Sequence, residues 1–338
     1  MLTLLLLVAT SGIAQFNVLD YERLSVTHGI PSAPISGIVQ DHRGYLWIGT
    51  PIGLFRYNGL SSRHFISDGS ANGLPDNSIK QIEFFDKKII CLTLGGSFIH
   101  DCNTERDTSL FLSGGPSIPA FLANNMTDAC SDGHGGIILL SRSGFLHVDS
   151  LLSKKYEYIN KDSVQPMGIS SSFGRFVFPM PDGQFIIGGN HGLSAYDPLK
   201  KSTTPLSPGM YPDLDSFSSD RSAYVFELGP FEYLFFSRHQ GTLLYYHALT
   251  GVKFSLTVGI DALDLLRWNT QLHSINDSLH YFLLPGKGTM DLIIDRSGHR
   301  MALNKPQDTG VLPITMLVDA DQRLWLGTHN GVYKQRDQ

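Results

Sequence analysis

Hydrogen-bond donors recur in this 338-residue chain at one regular place, just before a glycine that opens a short apolar run. Arg142 precedes Gly144, Asn190 and His191 precede Gly192, and Arg238 and His239 precede Gly241. Lys287 precedes Gly288, and His329 and Asn330 precede Gly331. Gathered on one loop face, these side chains would suit a hydroxyl-rich or anionic small ligand, because each offers N–H donors. Ordinary solvated loop chemistry is the plain alternative. The segments at the same place earlier in the chain, Thr50-Pro51-Ile52 and Leu94-Gly95, are apolar instead. His191, His239 and His329 are of the type that serves as a general base. However, no Ser-His-Asp set can be read from order alone, and G-x-S-x-G and H-E-x-x-H are both missing. The loops carry no Asp or Glu, so a carboxylate pair for glycoside cleavage is not visible on them. That asymmetry favours binding over glycosidase chemistry.

The elements that must position these loops follow from the glycines. Gly53, Gly96, Gly144, Gly192, Gly241, Gly288 and Gly331 are separated by 43, 48, 48, 49, 47 and 43 residues. A repeat of roughly 40 to 50 residues is the period of four-stranded propeller blades. Each unit supplies an inner strand A, strands B and C, and a weaker outer strand D. One such sheet cannot bury both faces alone, but seven packed around an axis can. The spacing therefore predicts an all-β, seven-bladed β-propeller. The last unit stops after its strand C at "GVYKQRDQ", while the segment around residues 20–26 reads as a strand D. That N-terminal strand is expected to complete the last blade as its outer strand, removing an exposed sheet edge.

The first and last units share nearly the same ten residues, "DHRGYLWIGT" from Asp41 and "DADQRLWLGT" from Asp319. Trp47 and Trp325 fall at blade-equivalent positions, which points to packing between blades rather than to stacking on a sugar. Gly53 and Gly331 are expected at positive-φ or crowded turn positions. Asp41, Asp132 and Asp319 sit where strand A turns into strand B. Calcium would need more carboxylates per loop, so an aspartate closing its own turn is the better account.

Bulk properties bound the rest. The chain is 42% hydrophobic and 17% charged, enough to bury a substantial core. A net charge of -5 and the lack of a basic stripe argue against nucleic acid. Cys91, Cys102 and Cys130 form neither a disulfide framework nor a metal spacing, which leaves core packing or one incidental disulfide. No cofactor motif is present. The opening "MLTLLLLVATSGIAQ" reads as a signal peptide over residues 1–15, with an apolar core at Leu2–Ala9 and small residues near Ala14. It lacks a basic n-region, and a buried first strand or helix is the alternative. Residues 16–338 would then form the propeller, in a periplasmic or otherwise exported setting.

The stretch "GIPSAPISGIVQDHRGYLWIGTPIGLFRYNG" resembles the repeat of the two-component regulator propeller family. Its usual form is a GLP-type loop, an apolar strand, D-x-x-G, LWIGT and GL-x-x-Y. "NGLPDNSIKQI" and "ITMLVDADQRLWLGTHNGVYK" match parts of it, while the five middle units keep only the spacing. The resemblance implies a periplasmic sensor module of bacterial hybrid-histidine-kinase-type regulators, which respond to oligosaccharides. It implies a homodimer, with kinase chemistry in other domains, so no catalysis is expected of this chain. A propeller lyase or hydrolase at the His-bearing mouth and a protein-interaction scaffold stand as alternatives, since propellers host many functions.

Overall fold

Twenty-eight strands stand among the described residues, in seven sheets of four. In this computed structural model those residues are 21–24, 26–113, 123–159, 174–189, 192–215, 223–237, 241–258, 271–284, 288–304 and 312–336. The leader expected over residues 1–15 lies outside them. Blade one has the order Gly37–Gln40, Leu46–Thr50, Gly53–Tyr57 and Ser62–Phe65, each antiparallel to the next. Blades two to six repeat that order. In blade seven, Tyr21–Arg23 pairs with Gly331–Gln335, placing Tyr21 opposite Gln335 and Arg23 opposite Tyr333. The Leu24 N–H donates to the Val332 carbonyl at 2.9 Å and continues that seam.

The core is divided as a ring of seven sheets requires. Seven apolar clusters fill the seven gaps between consecutive blades. The LWIGT segment shows how one strand serves two gaps. Leu46 and Ile48 point back toward blade seven, beside Trp325 and Val332. Trp47 points forward into blade two, beside Ile89 and Phe98, and is fully buried. Alternation along a strand makes this division automatic. A Cβ on Gly49 would come within 2.8 Å of Ile79 on the inner strand of blade two, so this position admits no side chain without a shift. The Thr50 hydroxyl donates to the Gly53 carbonyl at 2.7 Å and accepts the Ile52 N–H at 3.1 Å, closing the B–C turn. Gly53 itself has φ 127°, a left-handed-side conformation that disfavours other residues, and Gly331 has φ 117°. Thr93, Ser141 and Thr328 close the turns of blades two, three and seven in the same way.

The turn aspartates have two tasks. Asp41 Oδ1 accepts the Arg43 and Tyr45 backbone N–H groups at 2.9 and 3.0 Å, and Oδ2 accepts the Trp47 indole N–H at 2.8 Å. Asp319 does the same with the Asp321 and Arg323 N–H groups and with Trp325, again at 2.8 Å. Blade three has no Trp, yet Asp132 keeps both tasks. Its Oδ1 takes the His134 and Gly136 N–H groups, and its Oδ2 lies 3.0 Å from Nε2 of His147 on strand C. In each case the tethered ring meets strand C of the next blade. Trp325 meets Tyr57, Trp47 meets His100 at 4.7 Å between centroids, and His147 meets Tyr196. Tyr57, His100 and Tyr196 each stand four residues after their blade's glycine. All three cysteines are free and buried in the core. Replacing Asp41 with Ala would strand a buried indole N–H and two turn amides, a loss of about 3 kcal/mol. Trp47→Ala should cost about 3–5 kcal/mol. Equilibrium denaturation would measure both; near-neutral values would show that the tether does not support the ring.

Candidate functional site

Seven inner strands leave their unpaired edges facing one axis, and around it lies a cavity of about 520 Å³. Side chains on its wall need not pack between blades, and several are polar. Glu83 comes from blade two, Thr127 and Asp128 from blade three, Arg175 from blade four, Tyr224 and Glu227 from blade five, and Gln271 and His273 from blade six. Phe226 adds an apolar ring, and Phe176 and Phe178 border it from the core between blades four and five.

Register sets the depth of each carboxyl. Asp128 pairs with Leu140, one residue before the end of its strand B. Glu83 pairs with Ile90 and Glu227 with Tyr233, three and four residues before the ends of theirs. At ~3.3 Å per residue they are spread over roughly 10 Å of the axis. Four inner strands also carry a bulge at the same level, near the B–C loops. The extra residues are Lys80, Thr127, Arg175 and Ile314. A bulge leaves one residue outside the ladder and re-aims its side chain. Three consecutive blades thus turn Lys80, Thr127 and Arg175 out of the regular alternation.

Enclosure alters the acid–base behaviour of this wall. Glu83 and Asp128 meet channel water over only part of their surface. Burial pushes the Glu83 carboxyl up to about 7; the Gln81 amide at 2.8 Å opposes the shift and the charge of Glu227 adds to it. Burial likewise raises Asp128 to about 8, with the charges of Glu83 and Glu227 adding. The Val177 and Ala129 N–H groups, at 2.8 and 2.9 Å, pull the other way. Glu227 is also raised by burial, although it is open to channel water. Burial lowers His273 to about 4, so its ring is neutral at pH 7, with Nε2 3.1 Å from Gln271 Oε1. At the mouth, burial and then the charge of Arg142 lower Lys80 to about 8. Its ammonium donates to Asn125 Oδ1 at 2.8 Å and to the Met126 carbonyl at 2.5 Å.

The loop residues singled out from the sequence fare differently. Asn190, His191, Arg238, His239 and Lys287 lie outside the described residues. Arg142, His329 and Asn330 are exposed and are not part of the cavity wall. Arg142 acts on Lys80 through its charge, and the Asn330 carbonyl accepts from Arg23 at 2.5 Å, tying its loop to the seam. The channel carboxyls lie on the inner strands and not on the loops that the sequence pointed to. A signal existed: "IKQIEFF", "MTDACS" and "AYVFELG" each place an acid among the apolar residues of an inner strand.

The chain is a seven-bladed β-propeller, and its first blade carries a known repeat. Residues 29–51 match the model of the two component regulator propeller family. The extracellular domain of BT4673 from B. thetaiotaomicron, described as a one component system, superposes with a TM-score of 0.68 at 16% identity, over 96% of this chain and 44% of that one. The extracellular domain of the hybrid two component system BT3049 from the same organism gives 0.64 at 16% identity, over 93% and 41%. This chain thus spans less than half the length of those domains. Virginiamycin B lyase from Staphylococcus aureus gives 0.60 at 10% identity, over 93% and 98%. No curated protein matches the chain by sequence. At these identities the likenesses speak to the fold.

A carboxyl raised in the folded state holds its proton where the unfolded chain has lost it. Between the two pKa values the native state binds more protons, so stability falls as pH rises. For Glu83 that window runs from 4.5 to about 7. Glu83→Gln removes the contribution, so the variant's melting temperature should gain on the wild type between pH 5 and pH 8. A difference independent of pH would contradict the raised carboxyl.

Proposed function

We propose that this propeller is the ligand-sensing module of an exported two-component-type system, and that it reads a polar small ligand of the oligosaccharide class. The observation that carries the proposal is the family repeat at residues 29–51, built into a ring whose axis holds a ligand-sized polar cavity. The likeness to extracellular domains of bacterial sensors supports it, as does the leader-like start. Hydroxyl-rich ligands are recognised by convergent donors and acceptors beside aromatic faces. Gln81, Thr127, Arg175, Tyr224 and Gln271 supply such a set. Arg142, His329 and Asn330, with Asn190, His191, Arg238, His239 and Lys287, would extend recognition over the loop face. Binding would be passed on through dimer geometry to signalling domains.

A lyase is the second reading. It is favoured by the near-complete overlap with virginiamycin B lyase and by a wall carboxyl that titrates near neutral pH. One experiment separates the two. Neutral and acidic oligosaccharides would be screened by thermal shift, and hits followed by calorimetry and by product analysis after long incubation. The sensor reading expects a hit that raises the melting temperature, is recovered intact and binds at least tenfold more weakly to Arg175→Ala. Consumption of the compound would favour the lyase, and a screen without hits would contradict oligosaccharide sensing.

A further inference from the structure

The axial cavity combines features that a neutral sugar does not require. Its wall carries three carboxyl groups on three different blades, and among the described residues Arg175 is its one Lys or Arg. The carboxyls are staggered in depth, and no three His, Cys, Asp or Glu side chains among the described residues stand close enough to hold a metal ion. A single small cation therefore cannot satisfy them together, whereas an extended ligand could reach two or three.

Aromatic rings point the same way. Tyr224 and Phe226 lie on the wall with the carboxyls. One of these faces already holds an organic cation: the Arg175 guanidinium carbon stands 5.5 Å from the centroid of the Tyr224 ring. Attraction between a cation and a ring face is a general mode for amine recognition.

From the cavity, its aromatic wall and the staggered carboxyls together, we infer that the channel takes a ligand bearing one or more primary ammonium groups, as an amino sugar or a linear polyamine does. The inference rests on the sensor reading for the site; an amino sugar narrows the ligand class of that reading, and a polyamine would replace it. Glu83 and Glu227 would receive ammonium groups, while Asp128, which already accepts the Val177 N–H, would orient the wall. Gln81 and Gln271 would serve the ligand's hydroxyl groups where it has them. Because burial holds the Glu83 carboxyl partly protonated near neutral pH, an ammonium arriving there should expel protons.

The test is calorimetry of the full chain at pH 7 against spermidine, glucosamine and glucose, each in two buffers of different ionisation enthalpy. Glu83→Gln and Glu227→Gln serve as variants, since neither side chain has a backbone partner among its hydrogen bonds given above, and melting curves would confirm that both fold. The expected result is binding of an amine but not of glucose, with protons released and the dissociation constant raised tenfold or more in each variant. Spermidine and glucosamine separate the polyamine from the amino-sugar source. Amine binding unchanged in both variants, or no binding of either amine, would overturn the inference. Glucose or a neutral oligosaccharide binding at the same wall would overturn it too, while leaving the sensor reading in place.

Discussion

One carboxylate at the turn between the first two strands holds each signature blade together. It fixes the turn through two backbone N–H groups and, with its other oxygen, holds a ring against the next blade. Local turn geometry is thereby tied to packing between sheets, the step that a lone four-stranded sheet cannot complete. The ring need not be Trp. In blade three an imidazole from the facing strand reaches Asp132 and also lies 3.0 Å from the Tyr196 hydroxyl of blade four. What persists is an acceptor, a planar donor and an aromatic or imidazole neighbour four residues past the glycine. Closure through Tyr21–Arg23 then makes blade seven equivalent to the rest.

Once the gaps between blades are filled, the inner edges of the strands are left over. Polar side chains cost less there than in the packed gaps, because no neighbouring sheet packs against those edges. That freedom is where function can accumulate. The wall gathers raised carboxyls, a neutral His273, glutamine amides and an arginine from different blades. Residues more than forty positions apart in sequence thus share one volume, and the charge of Glu227 adds to the raised pKa of both Glu83 and Asp128.

The ring was legible because its causes are periodic. Glycine spacing marks the blades, LWIGT marks strand B, and the chain ends show a strand C without its partner and a strand D without its blade. The packing role of Trp47 and the turn-closing role of Asp41 were also legible, whereas the bond from the indole to Asp41 was not. The channel was less legible. Asp128 stands just past a bulge at Thr127, and Glu227 beside a register shift of its own. The acids can be read in the inner strands, but those register shifts have no sequence signature. His147 in the place of Trp is likewise a substitution through space, since it comes from the strand opposite Ile138. The basic loops were recognised as polar, but Arg142, His329 and Asn330 stand outside the cavity wall, and polarity alone could not separate mouth from wall.

Ligand is expected to bind along the axis and not on the outer blades. Hydrogen–deuterium exchange of the full chain, with and without a ligand identified by thermal shift, tests it most directly. Axial binding would add protection in the inner strands Ile79–Phe85, Met126–Ser131 and Gly174–Pro179, whose inner edges face the channel. Protection confined to outer strands such as Ser62–Phe65 or Val252–Thr257, with the inner strands unchanged, would contradict it.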